Sequence, residues 1–156
     1  MKLFLIAVGS KMPQWVQVGA DEYVKRFSGD CRLQLIEIPL AKRGRSISVS
    51  QNQSVECEKM LAASPATCHK IALDVSGKPL STEQLANEMK QWQRLGESVV
   101  FYIGGPDGMS STFLQQCDQR WSLSAMTFPH SLVRVMLAEQ LYRAWSILQG
   151  HPYHRA

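Results

Sequence analysis

The chain has 156 residues, 45% hydrophobic and 19% charged, enough for one ordinary domain (1–156) with its own core and too little for a second. No apolar run approaches the roughly 18 residues needed to cross a bilayer, which argues against a membrane-spanning helix and for a soluble protein. Lys and Arg outnumber Asp and Glu by 17 to 13, for a net charge of +4, a balance that favours a polyanionic partner only weakly.

In chain order, the amino terminus MKLFLIAVGSKMP has the lysine and short apolar stretch of a signal peptide. However, LFLIAV is of strand length and ends at a turn signal. It is read as a first buried strand, 2–8, of a protein that stays in the cytoplasm. Further strand-like runs follow at 33–38, 70–75, 98–103 and, more weakly, 121–126. Amphipathic stretches at 15–27, 49–61, 81–93 and 111–119 separate them. This alternation predicts an α/β fold, a mostly parallel sheet with flanking helices. The clearest helix signal is Ser81 with Gln84 three residues on, a capping box, followed by Leu85, Met89 and Trp92 on one face and by Gly96 as the stop.

The last long element, 129–150, is apolar almost all round, interrupted only by Arg134, Glu139, Gln140 and Arg143. Such a helix must be covered on both sides, so one side is a candidate subunit interface; burial wholly within the monomer is the alternative. The four cysteines, Cys31, Cys57, Cys68 and Cys117, form no CxxC pair and read as packing residues or surface thiols, not as metal ligands.

Four segments could carry chemistry. FYIGGPDG at 101–108 runs an apolar strand into three glycines: Gly104 and Gly105 would let a ligand approach the backbone, although a plain tight turn uses such a pair equally well. WSLSAMTFPH at 121–130 leads into the long helix, and its loop backbone could bind a neutral heterocycle or simply connect strand to helix. Lys42, Arg43 and Arg45 form a basic loop with no acid between Leu40 and Val55, a candidate phosphate contact or a solvated turn. The tail, His151 to Arg155, offers an aromatic ring, imidazoles and a guanidinium for stacking on a base and pairing with phosphate. Terminal residues are also commonly disordered. A metal at His151 and His154 is disfavoured because no carboxylate or cysteine lies near them in sequence.

Several motifs in order carry a resemblance: LDxxGK at 73–78, FYIGGPDG at 101–108, LSAMTFPH at 123–130, LxRVMLAEQLYRAWSI at 132–147 and the end HPYHR. With MKLFLIAVGSKMPxWV at the start, the likeness covers essentially the whole chain. The sequence resembles the smallest type of SPOUT methyltransferase, the large-subunit ribosomal RNA methyltransferase H family. That resemblance implies an α/β-knot fold with a carboxy-terminal trefoil knot, a homodimer and S-adenosylmethionine as methyl donor. It also implies methylation of N3 of a pseudouridine in helix 69 of 23S ribosomal RNA, free or in the assembled ribosome. In the family the donor is gripped by loops that correspond here to Leu73, Gly104, Leu123, Ser124, Ala125, Met126, Thr127 and Phe128.

Attack of N3 on the sulfonium methyl needs no metal. It needs a proton acceptor, for which His154 is the candidate, and a cation to stabilise the imide anion, for which Arg143 and Arg155 are candidates. Glu139, four residues before Arg143, either orients that guanidinium or forms a structural pair at a subunit contact. Lys42, Arg43, Arg45 and Tyr153 are the candidate RNA contacts. Two rivals remain, a non-enzymatic ribosome-associated factor and a SPOUT enzyme acting on tRNA. Donor binding separates the first, and comparison of ribosomes with bulk tRNA as acceptors separates the second.

Overall fold

The computed structural model describes residues 1–155. In chain order it contains β1 (Lys2–Val8), α1 (Gln14–Val24), β2 (Arg32–Ile38), α2 (Val49–Ala62), β3 (His69–Pro79), α3 (Thr82–Leu95), β4 (Ser98–Ile103), α4 (Ser111–Gln116), β5 (Gln119–Ser122), α5 (His130–Leu148) and a short 3₁₀ turn (Pro152–Arg155). The five strands form one sheet in the order β2-β1-β4-β3-β5, every pair parallel. Parallel strands need covered faces, and the central pair shows it: Leu5 lies beside Phe101 and Ile6 beside Tyr102, all four buried. One face, with Leu3, Leu5, Val99 and Phe101, packs against α3 and α5. The other, with Ile6, Val8, Val100 and Tyr102, packs against Cys57 and Met60 of α2 and Phe113 of α4.

The capping box expected at α3 is present: Ser81 Oγ accepts from Gln84 N at 3.1 Å, Gln84 Oε1 accepts from Ser81 N at 2.8 Å, and Gly96 ends the helix in the left-handed conformation. A second box, Ser48 with Gln51, starts α2. Among the boundaries that differ from the sequence reading, the first helix ends at Val24 and not at 27, and two others lie around β5. The last strand is Gln119–Ser122, not 121–126, and α4 stops at Gln116. Asp118 causes this: its carboxylate accepts from Lys70 N at 2.7 Å while its own N–H donates to Lys70 O at 2.8 Å. That exchange ties the chain to β3 before Trp121, and the residues after Ser122 leave the sheet as a loop.

Strand β3 is also longer than the run 70–75 suggests. Its pairing with β5 jumps from Leu73 to Lys78, both opposite Trp121, so residues 74–77 bulge out. Gly77 then lies directly on the β5 backbone: a Cβ there would sit 2.6 Å from the Trp121 carbonyl carbon. No side chain fits at that crossing, which gives the glycine of LDxxGK its physical reason.

α5 is less bare than its composition suggests. It is flanked by α1 and α3 and lies on the sheet, burying Leu137, Ala138, Leu141, Ala144 and Trp145. Its remaining apolar residues are half-buried, and the strongly exposed apolar side chains nearby are Trp15 and Val18 of α1, each 59% exposed. All-round apolarity therefore reflects, in good part, a helix enclosed within its own protomer. Burial pushes the Cys31 thiol up to about 12 and Cys117 up to about 11, consistent with packing residues and not nucleophiles. Among the described residues no helix is long and apolar enough to cross a membrane.

Candidate functional site

The carboxyl ends of β3, β4 and β5 enclose a cavity of about 390 Å³. This is the edge at which open parallel sheets usually place ligands, because the loops there diverge while the strand ends stay fixed. Leu73, Asp74 and Val75 supply its floor from β3; Ile103 and the turn after it form one wall, and the loop 122–129 forms the other. His130 and Val133, from the first turn of α5, close the rim. The lining is mostly apolar, with Asp74 its only carboxylate and no lysine or arginine.

The glycine-rich wall owes its shape to internal contacts. Gly108 N–H donates to Gly105 O at 2.9 Å, and Gly108 takes a φ of 72°. A Cβ on Gly104 would sit 2.9 Å from Met109 Cγ and 3.1 Å from the Gly108 carbonyl carbon; one on Gly105 would sit 2.9 Å from Val8 Cγ1. Gly104 is therefore required by the turn itself, the plainer of the two sequence readings, and Gly105 by the closeness of Val8 of β1, while both still line the cavity. The opposite wall is shaped by Ser122 Oγ donating to Ser124 O at 2.8 Å and Met126 N donating to Ser124 Oγ at 3.0 Å. Of the eight residues expected to grip the donor, seven line this cavity. Ala125 is exposed on the loop and does not.

Two side chains in the first turns of α5 had no role in the sequence reading. Arg134, 1% exposed, reaches from α5 to Glu37 Oε2 at 2.8 Å, Gly9 O at 3.1 Å and Val8 O at 3.2 Å, locking α5 to the ends of β1 and β2. Burial lowers its pKa against the opposing pull of Glu37. His130 is held below its ordinary pKa by burial and then by the Arg134 cation, so its imidazole is neutral at neutral pH. Arg134 fell within a helix pattern that read as packing and showed only as a polar break in it, whereas His130 closed the loop segment 121–130, whose backbone and not its imidazole was the candidate.

The other candidates lie elsewhere. Arg143 is thirteen residues beyond His130, about 20 Å along the helix at 1.5 Å per residue. Its Nη2 and Nε lie 2.6 and 2.8 Å from Glu139 Oε1. The tail folds back onto this end of α5. Gly150 takes a positive φ and His151 N donates to Ser146 O at 2.9 Å, which reverses the chain. Tyr153 then packs edge-on to Tyr142 at 4.9 Å, lies under Arg143 at 5.0 Å and donates its hydroxyl to Glu139 Oε1 at 3.1 Å. Burial and the neighbouring Tyr23 and Glu139 push its pKa up. The Tyr153 ring, offered by the sequence for stacking on a base, is instead engaged by Tyr142, Arg143 and Arg26. His154 is half-buried, with Nδ1 covered and unpartnered among the described residues, and Arg155 is exposed.

In the basic loop, Lys42 and Arg45 are exposed, but Arg43 is not a free cation: it pairs with Glu56 and Asp107. No group of three metal-ligating side chains clusters among the described residues.

Sheet, cavity and loops together define an α/β protein with a cavity of ligand size at its strand ends. A family model described as "predicted SPOUT methyltransferase" matches residues 1–154, and the chain belongs to the SPOUT methyltransferase family. It is 48% identical over 155 residues to a protein of Hydrogenovibrio crunogenus (strain DSM 25203 / XCL-2) and 51% identical over 155 residues to one of Hahella chejuensis (strain KCTC 2396). Each match covers 99% of both chains, and both relatives bear the name ribosomal RNA large subunit methyltransferase H.

Proposed function

We propose that this chain transfers a methyl group from S-adenosylmethionine to large-subunit ribosomal RNA, at N3 of a pseudouridine in helix 69 of the 23S molecule, acting in the cytoplasm as a homodimer. The observation that carries the reading is the cavity at the strand ends. Its volume of about 390 Å³ falls within the range typical of small-molecule sites, roughly 300–1,000 Å³. Its single carboxylate, Asp74, and its lack of cationic side chains suit a donor that bears a sulfonium and an ammonium. The loop of Leu123, Ser124, Met126, Thr127 and Phe128, facing Leu73 and Gly104, offers apolar surface and peptide groups for an adenine ring.

S-adenosylmethionine, when bound, supplies a methyl on a sulfur that is already a good leaving group, so the chain's task is to orient the acceptor and manage one proton. Arg143 and Arg155 are the cations for the imide anion at N3, and Tyr153, Lys42 and Arg45 engage the RNA. His154 remains a candidate acceptor for the N3 proton, joined by the neutral His130 at the cavity rim. Within one protomer Arg143 and the tail stand too far along α5 to serve the cavity. A second copy that brings its tail to the first copy's cavity would unite them, and this separation now supports the dimer better than the apolarity of α5 does. The trefoil knot belongs to the same proposal, supported by the family match over residues 1–154.

Calorimetric titration of S-adenosylmethionine tests the donor site. Methyl transfer to ribosomes lacking the modification, compared with transfer to bulk tRNA, tests the acceptor. Saturable binding and transfer to ribosomes alone are expected; no binding, or transfer to tRNA alone, would refute the reading.

A further inference from the structure

Arg43 ties its own loop to α2 and to the glycine-rich turn. Its Nη1 donates to Ala41 O at 2.7 Å, and both terminal nitrogens lie 3.3 Å from Glu56 Oε2 on α2. Its Nη2 lies 3.0 Å from Asp107 Oδ2, in the glycine-rich turn. The same turn is held from α2 by Gln53 Nε2, which donates to Asp107 O at 2.7 Å. Glu56 is 1% exposed; Oε2 also accepts from Ala41 N at 3.0 Å, while Oε1 has no partner among the described residues. That oxygen lies 3.5 Å from the point where a Cβ on Gly105 would stand.

A buried carboxylate with an unpaired oxygen is a poor device for stability, since an apolar side chain of similar size would serve as well. The ion pair supplies direction instead: a planar guanidinium fixes the relative positions of the groups it binds. Here those groups are the basic loop that carries Lys42 and Arg45, and the turn whose Gly104, Gly105 and Gly108 line the cavity.

We propose that Arg43, with Glu56 and Asp107, is a positioning brace that sets the glycine-rich wall of the donor cavity against the basic loop, so that RNA phosphate on that loop tightens donor binding. The proposal rests on the functional reading above. By linkage the effect is reciprocal: bound donor tightens RNA to the same degree.

The test titrates S-adenosylmethionine into the full chain with and without a synthetic pseudouridine-containing RNA stem-loop. It uses wild type, Arg43→Met, Arg43→Lys, Asp107→Asn and the Arg43→Met/Asp107→Asn double variant, with donor KM and kcat measured on ribosomes. The brace predicts that RNA strengthens donor binding in wild type. Arg43→Met should raise the donor Kd and KM about tenfold, leave kcat at saturating donor in place and abolish the RNA effect. Arg43→Lys should recover part of the loss, and the double variant should be no worse than the worse single one, because both break one unit. If Arg43→Met does not fold, Asp107→Asn carries the test, since it spares the Arg43–Glu56 pair. Unchanged donor affinity with a raised RNA KM would make Arg43 a phosphate contact only, and a lowered melting temperature without a change in donor KM would make it a structural pair; either overturns the brace. A wild-type chain that binds no donor overturns the functional reading and the brace with it, whereas variants that bind as well as a binding wild type overturn the brace alone.

Discussion

The two ends of α5 meet the rest of the chain in different ways. At its amino-terminal end, Arg134 is sunk into the fold and grips the ends of β1 and β2, leaving His130 and Val133 to form the rim of a cavity with space for a ligand. At its carboxyl-terminal end, Glu139, Arg143 and Tyr153 form a cluster closed on itself, with each polar group answered by another. One end holds a site open and the other holds chemical groups in a fixed array. A single helix thus separates a place to bind from the groups suited to act, and the proposed second copy would be the means of joining them.

The largest effect should come from cutting the amino-terminal anchor. Arg134→Met leaves the carbonyls of Val8 and Gly9 without this donor and should cost about 3 kcal/mol of stability in denaturant unfolding, at roughly 1–3 kcal/mol for each buried acceptor left unpaired. A loss below about 1 kcal/mol would show that the anchor is not what fixes this end.

Gly104→Val comes next. The new side chain meets Met109 and the Gly108 backbone, so donor binding should be lost together with about 2 kcal/mol of stability, an overpacking cost. Full donor affinity in calorimetry would remove the glycine-rich turn from the site.

At the other end of α5, truncation after Gly150 removes the Tyr153 ring and its hydrogen bond to Glu139. It should cost about 1–2 kcal/mol, leave donor affinity unchanged and abolish methyl transfer. Near-normal transfer would deny the tail a role, and lost donor affinity would place the tail in the cavity of its own protomer.

The smallest expected effect concerns His130. Its folded pKa lies below 6.5, so between that lowered value and 6.5 the unfolded chain binds more protons, and stability falls as pH drops through this window. Melting curves at pH about 7.5 and 5.5 should show a larger drop for wild type than for His130→Asn; equal drops would mean the imidazole is not held neutral by its surroundings.

What the sequence revealed divides along the same helix. The strand and helix order, the capping box of α3 and the loops around the cavity were legible because local rules decide them: strand-length apolar runs, Ser81 with Gln84, glycines beyond a strand end. The end of β5 was not, since Asp118 fixes it through a partner 48 residues away. Nor was the engagement of Arg43 by Glu56 and Asp107, or the return of Tyr153 onto Tyr142, because such pairings are made by the fold and leave no periodic trace. Arg134 was visible as a polar break in an apolar helix, yet only the packed structure shows that its partners are Glu37 and the carbonyls of Val8 and Gly9.

Complementation between two damaged chains tests most directly whether cavity and tail act together across subunits. Thr127→Trp fills the cavity and leaves the tail intact; truncation after Gly150 removes the tail and leaves the cavity intact. Each should be inactive alone. Mixed and allowed to exchange subunits, they should regain methyl transfer to ribosomes, because the mixed dimer holds one whole cavity facing one whole tail. Mixed dimers that form, bind S-adenosylmethionine and still transfer nothing would contradict the account.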